Sequence, residues 1–302
     1  MYKRVSTALK HPGALITLRV ATIGLLASIA WFKYVEIQSF AHLIDFDLFL
    51  PILLVGFLTL LNLAAEALKY RYLFGSDEID FNLSFKSVLS GMSVGIWTPN
   101  RAGEFIGRLK YAPRKRRRDS IGATILGSFL QGLITLLMGA IGLAFFNSAN
   151  DFNLPISWVY ISIGLILVAC LVIFQRGPLR NFREKHIKLV PSRVFAASGF
   201  AALRYLVFTS QFVLLLIAFG YEGDLVQAYF GVFVLYLIQT YMPGSMLSEL
   251  GIREVLAIFL FAPFFENEMG AVMAAFCLWL LNIGLPIASW SLYGAVKRVE
   301  LS

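Results

Sequence analysis

Residues Trp97–Arg108 read WTPNRAGEFIGR, a polar and charged stretch in a chain that is otherwise rich in apolar residues. A second stretch of the same pattern, Tyr241–Arg253, reads YMPGSMLSELGIR. In each stretch a residue able to cap a helix is followed by a glutamate and then by an arginine, at successive intervals of four. This spacing places all three side chains on one face of a helix. The residues are Asn100, Glu104 and Arg108 in the first stretch, and Ser245, Glu249 and Arg253 in the second.

The composition indicates an integral membrane protein. The 302 residues are 58% hydrophobic and 15% charged, with a mean hydropathy of +0.74. Soluble domains average about 45–50% apolar and about 25% charged residues. Cys170 and Cys277 lie singly in apolar runs, and the three histidines are scattered. Because metal-ligand spacing, a disulfide framework and nucleotide or nucleophile motifs are missing, we expect no metal, no cofactor and no enzymatic activity.

Apolar runs long enough to span a bilayer occur along the whole chain. They cover residues 15–34, 47–69, 120–146, 156–174, 194–219 and 270–294. The predicted fold class is therefore all-α, a polytopic integral membrane protein with about six full spans in a single transmembrane domain over residues 1–302. A cleavable signal is the less favoured interpretation of the first run, because Arg19 interrupts it and aromatic residues follow it. Polar residues inside the spans are candidates for interhelical hydrogen bonds, namely Asn62, Gln131 and Asn282.

Lysine and arginine are concentrated on one side of the predicted membrane. Almost all of them lie in the N-terminus, the 69–86 loop, the 108–118 run, the 176–193 loop and the C-terminus. The loops at 35–46, 147–155, 220–226 and 264–269 contain none. The positive-inside rule then predicts a multi-pass protein of the cell inner (cytoplasmic) membrane with both termini cytoplasmic. The basic run Arg114–Arg118 abuts a span, so we expect it to contact anionic lipid headgroups and not nucleic acid.

The charge distribution also predicts two helical hairpins. Residues 87–99 lie between two cytoplasmic segments and reach only about 20 Å as a helix, whereas the bilayer core is about 30 Å thick. A re-entrant hairpin explains both facts. Residues 226–264 leave and return on the outer side, where either a hairpin or two full spans is possible. Spans and hairpins then form an inverted repeat with units at about 47–147 and 194–296, an arrangement typical of transporters.

The two charged stretches point to an anion site between the hairpins. Helix N-termini attract anions, and arginine suits bidentate contact with phosphate. The alternative is an interfacial turn that contains an ordinary Glu–Arg pair. The charged pattern occurs twice, each time where a membrane helix is interrupted, and this recurrence favours a functional site. We expect Arg108 to matter most and Arg253 second, each losing transport but not the fold when replaced by alanine. The predicted substrate-binding residues are Asn100, Arg101, Glu104, Arg108, Arg204, Ser245, Glu249 and Arg253.

Three charged residues within or beside the spans can also be interpreted as having a purely structural role. Arg204 lies inside a span, either facing a cavity or paired structurally with a carboxylate such as Glu66. Glu66 and Lys69 lie near the end of a span and are expected to anchor the membrane interface.

The motifs resemble those of the flippase-like domain family, whose best-known relative is the transmembrane part of lysylphosphatidylglycerol synthase. Pro99–Glu104 matches a Pro-Gly-Arg-x-Gly-Glu segment of that family, with Asn100 in place of the usual glycine. Gly251–Glu254 matches a Gly-x-Arg-Glu segment, although Ser248–Glu249 stands where a glycine pair is more typical. Lys69–Tyr70 stands where the family more commonly has Arg-Trp.

The resemblance implies a protein that moves an anionic lipid or lipid-linked intermediate, such as a phospholipid or polyprenyl-type lipid, between leaflets. An accessory membrane subunit that presents lipid to a partner transferase is the alternative, and a transporter of a soluble anion is the least favoured. The synthase relatives carry an additional soluble aminoacyl-transfer domain. Because the sequence ends four residues after Arg298, we expect no synthase activity.

Overall fold

The computed structural model describes residues 48–75, 79–149, 190–242 and 244–299, together with the single residues Gly24, Ser28 and Gly164. The predicted spans 15–34 and 156–174, most of the 176–193 loop and both chain ends lie outside the described residues. Within the described part the chain is helical, with short connections and no β-strand. The predicted all-α class is confirmed.

Nine α-helices form the described part of the chain. They are α1 Phe49–Phe74, α2 Phe81–Gly95, α3 Gly103–Leu109, α4 Arg117–Ala149, α5 Pro191–Ala218, α6 Leu225–Tyr241, α7 Ser248–Phe261, α8 Met269–Trp279 and α9 Leu285–Val299. A π-helical turn, Leu280–Gly284, joins α8 to α9. Short 3₁₀ turns occupy Pro99–Arg101, Arg114–Arg116 and Ala262–Phe264.

Four helical segments of the described chain are long and apolar enough to cross a membrane. They are Phe49–Phe74, Arg114–Phe145, Pro191–Ala218 and Met269–Gly294. These segments match the predicted runs 47–69, 120–146, 194–219 and 270–294. Helix α6 is a shorter apolar helix of 17 residues, or about 26 Å at 1.5 Å per residue.

The first hairpin is held together by glycines that let two helix backbones touch. Gly91 and Gly95 lie on α2, and Gly103 and Gly107 lie on α3. A Cβ atom at Gly107 would lie 2.7 Å from the Gly91 Cα, and one at Gly103 would lie 2.8 Å from the carbonyl carbon of Val94. No larger residue fits this small-xxx-small contact without moving the helices apart. The contact sets Glu104 and Arg108 of α3 directly against α2.

The second hairpin packs through side chains and is fastened at its tip. Helix α7 contacts α6 and α8, and α6 lies along α4. A Cβ atom at Gly251 on α7 would meet nothing within 4 Å. At the tip, Trp279 Nε1 donates to the Met246 carbonyl at 2.9 Å. Pro243, the predicted break in this hairpin, lies outside the described residues.

Helices α1 and α5 pack along each other. Buried apolar side chains of α5, α6, α7 and α8 form the main core, including Phe212, Leu235, Phe261 and Trp279. Polar residues also cross between helices: Gln211 Nε2 donates to the Val55 carbonyl and to Thr59 Oγ1, each at 2.9 Å. Such bonds hold helices together where lipid provides no hydrophobic drive for association.

Candidate functional site

A cavity of about 590 Å³ lies among helices α1 to α7 and the π-helical turn. Its volume falls within the range of about 300–1,000 Å³ that is usual for ligand sites. Six of the eight predicted substrate-binding residues line it: Arg101, Glu104, Arg108, Arg204, Glu249 and Arg253. The structure therefore brings the two charged stretches, which are far apart in sequence, to one cavity.

A buried carboxylate on α1 gathers three cations at one side of this cavity. Glu66 Oε1 accepts a hydrogen bond from Arg108 Nη2 at 2.8 Å. Its Oε2 accepts from Lys69 Nζ at 2.6 Å and also from Arg204 Nη1. The Arg108 guanidinium stacks over the Tyr70 ring, with Cζ 5.1 Å from the centroid. We call Glu66, Lys69, Arg108 and Arg204 the Glu66 cluster.

Two asparagines are hydrogen-bonded to the Glu66 cluster through the Nε atom of Arg204. Arg204 Nε donates to Asn62 Oδ1 at 2.8 Å, and Asn62 Nδ2 donates to Asn282 Oδ1 at 3.0 Å. Asn282 lies in the π-helical turn, and its Nδ2 donates to the Leu278 carbonyl at 3.2 Å. The hydrogen bond between Asn62 and Asn282 confirms their predicted role between helices. π-Helical turns within α-helices occur frequently at functional sites.

A second ion pair joins the tips of the two hairpins. Arg101 Nε and Nη2 donate to the two carboxylate oxygens of Glu249, each at 3.1 Å. Arg101 adopts a left-handed backbone conformation with φ +56°, which is unfavourable for a residue with a Cβ atom. Glu104 lies between two arginines, 3.8 Å from Arg101 Nη1 and 3.5 Å from Arg108 Nη2. The predicted pairing of Glu104 with Arg108 is therefore present.

Arg253 has a different environment. Only 3% of the residue is exposed, its Nε donates to Gln239 Oε1 at 3.4 Å, and its Cζ lies 5.4 Å from the centroid of the Phe208 ring. Among the described residues no carboxylate forms an ion pair with it, and its Nη1 has no hydrogen-bond partner. The expected pairing of Glu249 with Arg253 is wrong, because Glu249 binds Arg101 across the hairpins.

At each of the two helix N-termini, one amide is capped by a side-chain hydroxyl. Helix α3 has only seven residues, and the Gly103 amide donates to Thr98 Oγ1 at 2.7 Å. At the start of α7, the amide of Ser248 donates to Ser245 Oγ at 3.3 Å. Such a short helix has a weak dipole, and these amides are already satisfied. The positive charge facing the cavity is therefore that of arginine side chains.

One predicted site residue, Ser245, lies apart from the others. Ser245 does not line the cavity, because its hydroxyl faces the start of α7 and accepts the Ser248 amide in an exposed position. Asn100 lies in the 3₁₀ turn, and its side chain lies outside the described residues. The Gly103 amide beside it is capped by Thr98.

The most central residue of the site was not among the predicted ones. Glu66 and Lys69 were expected at the membrane interface, but both are buried, with 7% and 3% of each residue exposed. Their signal was present in the sequence, because Asn62, Glu66 and Lys69 lie at intervals of four and three and so share one face of a span. Arg204 combines its two alternatives, since it binds Glu66 and also lines the cavity.

Within the described residues no group of three or more His, Cys, Asp or Glu side chains is placed to hold a metal ion.

Comparison with known proteins adds one finding to this geometry. A family described as the lysylphosphatidylglycerol synthase TM region matches residues 15–289. No curated protein and no solved structure matches the chain. The matched range includes every residue that lines the cavity.

Proposed function

The chain belongs to the lysylphosphatidylglycerol synthase TM-region family, as its charged stretches predicted, and from this premise we propose that it is a lipid flippase. It is a membrane protein of a lipid-related family. Its substrate is an anionic lipid or lipid-linked intermediate, a phospholipid or polyprenyl-type lipid, that moves between leaflets. The observation that carries the proposal is that Arg108 and Arg253, one from each hairpin, line a single cavity inside the helix bundle.

Charge inside a membrane protein is expensive unless it is paired or used. Each charged side chain at the centre of a membrane helix costs at least about 2.5–3.5 kcal/mol. Four arginines and three glutamates line the cavity, which leaves one positive charge in excess. A polar headgroup crossing the hydrocarbon region needs such a polar, protein-lined space, and the excess charge favours an anionic one.

The lengths of the hairpin arms support the re-entrant arrangement. Helices α2, α6 and α7 have 15, 17 and 14 residues, or about 22, 26 and 21 Å, each shorter than a bilayer core of about 30 Å. Broken helices that meet at a cavity near mid-membrane are typical of transporters with inverted repeats. Contacts of α4 with α6, and of α9 with α2, fit units at about 47–147 and 194–296 that exchange equivalent surfaces.

The basic run Arg114–Arg118 supports the proposed orientation in the inner membrane. Arg114, Lys115, Arg117 and Arg118 are exposed at the start of α4, where anionic headgroups attract lysine and arginine by about 1 kcal/mol each. Arg116 instead binds Asp119, with Nε 2.8 Å from Oδ2. Both termini then lie on the cytoplasmic side.

A reconstituted translocation assay tests this function. Proteoliposomes containing labelled phosphatidylglycerol are treated with a membrane-impermeant quencher, and the protected fraction is followed over time. We expect the wild-type protein to move the label and Arg253→Ala to move it at the protein-free rate, while labelled phosphatidylcholine stays slow in both. Failure of the folded wild-type protein to move any tested lipid contradicts the proposal.

The family description names a synthase, which favours a second candidate. In that case the chain is an accessory subunit that binds lipid and presents it to a partner transferase. The same assay separates the two candidates, because a presenting subunit binds the anionic lipid without moving it across the bilayer. No nucleophile or acid pair dedicated to chemistry lines the described cavity, so we propose no catalysis by the chain itself.

A further inference from the structure

Three hydrogen-bond donors in residues that line the cavity are buried without a partner. They are Nη1 of Arg253, the hydroxyl of Tyr205 and Nε of Arg108, in residues that are 3%, 4% and 4% exposed. Native proteins leave few buried polar groups unsatisfied, and a missing ligand or ion is a common reason for the exceptions. Because Arg108 already donates to a carboxylate through Nη2, the donors of Arg253 and Tyr205 are the two that mark a place for an acceptor.

Both donors border the same aromatic wall. The Tyr205 ring packs edge-on against Tyr236, with centroids 6.1 Å apart, and Tyr236 stacks on Phe208 at 5.1 Å. Arg253 lies over the Phe208 ring of this wall, with Cζ 5.4 Å from its centroid. The Tyr236 hydroxyl is already engaged, since it donates to the Phe208 carbonyl at 3.3 Å. The wall thus offers an apolar surface between one cation and one neutral donor.

The Glu66 cluster does not compete for the same role. Arg108 Nη2 lies 2.8 Å from Glu66 and 3.5 Å from Glu104, so this guanidinium is already paired with carboxylates before any ligand enters. Among the described residues, Arg253 donates to the neutral side chain of Gln239 and lies over the Phe208 ring, and it forms no ion pair. An incoming anion gains most where the guanidinium is not already paired with a carboxylate.

We propose that Arg253 and Tyr205 form the subsite for the phosphate group of a phosphodiester lipid, and that Arg108 is a positioning residue of the Glu66 cluster. This assignment rests on the proposed function, in which the cavity admits a lipid headgroup. A phosphodiester carries a single negative charge, which pairs with the guanidinium of Arg253. The rings of Phe208 and Tyr236 then face the apolar part of the lipid next to the phosphate.

Binding of short-chain phosphatidylglycerol to the purified full-length protein in a zwitterionic detergent tests this subsite. We expect Tyr205→Phe to weaken binding about ten- to a hundredfold, as for one hydrogen bond to a charged group, and Arg253→Gln to weaken it at least as much. Thr209→Val is the matched control. Thr209 lies on the same helix as Tyr205 and also has a buried hydroxyl without a partner, but it does not line the cavity. We therefore expect the Thr209→Val variant to bind phosphatidylglycerol with the wild-type affinity.

Competition identifies the source of the phosphate group. If phosphatidylglycerol stays bound in the presence of excess inorganic phosphate and glycerol 3-phosphate, the result supports a lipid ligand. If inorganic phosphate displaces phosphatidylglycerol as well as unlabelled phosphatidylglycerol does, the lipid assignment is overturned. Unchanged affinity in both Tyr205→Phe and Arg253→Gln, with a loss in Arg108→Gln, overturns the subsite. If the variants lose binding as expected but wild type moves no lipid, the flippase function fails and the subsite stands. If wild type moves lipid and the variants bind normally, the flippase function stands and the subsite fails.

Discussion

Arg108 and Arg253 have equivalent positions in the two charged stretches, each four residues after a glutamate, yet their surroundings differ in charge. Arg108 shares the Glu66 carboxylate with Arg204 and Lys69 and also lies near Glu104. Arg253 contacts Gln239 and an aromatic ring instead. Both are almost fully buried, at 4% and 3% exposure, so burial does not explain the difference.

The difference comes from helices outside the two stretches. Glu66 reaches Arg108 from α1, whereas the side chain that hydrogen-bonds Arg253 is the neutral Gln239 on α6. A repeated motif therefore gives two sites of unequal character: in one the arginine is paired with carboxylates, and in the other it has only neutral partners. The order of importance expected from sequence, with Arg108 first, is reversed in our proposal for ligand binding.

The strongest test of this comparison removes the carboxylate that balances the first site. We expect Glu66→Gln to lower the free energy of unfolding by about 3–5 kcal/mol, because it leaves Arg108, Arg204 and Lys69 buried without their counter-ion. Thermal unfolding in detergent measures the effect. Arg253→Gln is the counterpart at the second site and is expected to change stability little, since it breaks no ion pair.

Equal losses from Glu66→Gln and Arg253→Gln contradict the distinction between the two sites. Glu104→Gln serves as a further control. The Glu104 side chain is 16% exposed and lies 3.5 Å from Arg108, so its replacement has a smaller effect than that of Glu66.

The packing of the hairpins gives a second, smaller contrast. We expect Gly107→Ala to cost about 1–3 kcal/mol, because the new Cβ meets the backbone of Ser90 and Gly91 and pushes α3 from α2. Gly251→Ala in the second hairpin meets nothing within 4 Å, so its higher helix propensity gives a neutral result or a gain of up to about 1 kcal/mol. Unfolding midpoints of both variants in the same detergent provide the measurement. Similar shifts for the two glycines are incompatible with the backbone contact in the first hairpin.

The smallest effect concerns the ion pair between the hairpin tips. The Arg101 side chain is 40% exposed, so solvent screens its attraction to Glu249. A double-mutant cycle of Arg101→Gln and Glu249→Gln is expected to give a coupling energy of about 0.2–1 kcal/mol, falling at high salt. A coupling that is insensitive to salt and far larger shows that the tips are locked together more firmly than their exposure implies.

Local pattern was enough to predict several parts of the site. The interval of four residues predicted the pair of Glu104 and Arg108, because neighbours at that interval share a helix face whatever the rest of the fold does. It did not predict the partner of Glu249, which binds Arg101 at a separation of 148 residues. The Ser245 hydroxyl accepts the Ser248 amide at the start of α7, as a capping residue does, whereas Thr98 satisfies the Gly103 amide at the start of α3.

By itself, the sequence determined the all-α membrane class, the family and six of the residues that line the cavity. It did so because span length, charge asymmetry and helix spacing are properties of short segments that hardly depend on distant contacts. Only the tertiary structure decided how the charges are shared. The packing of α1 against α5 places Glu66 between Arg108 and Arg204, and the fold of α6 sets a neutral glutamine beside Arg253. Distances across the bundle decide which arginine is paired with carboxylates and which has neutral partners, and those distances are fixed by packing.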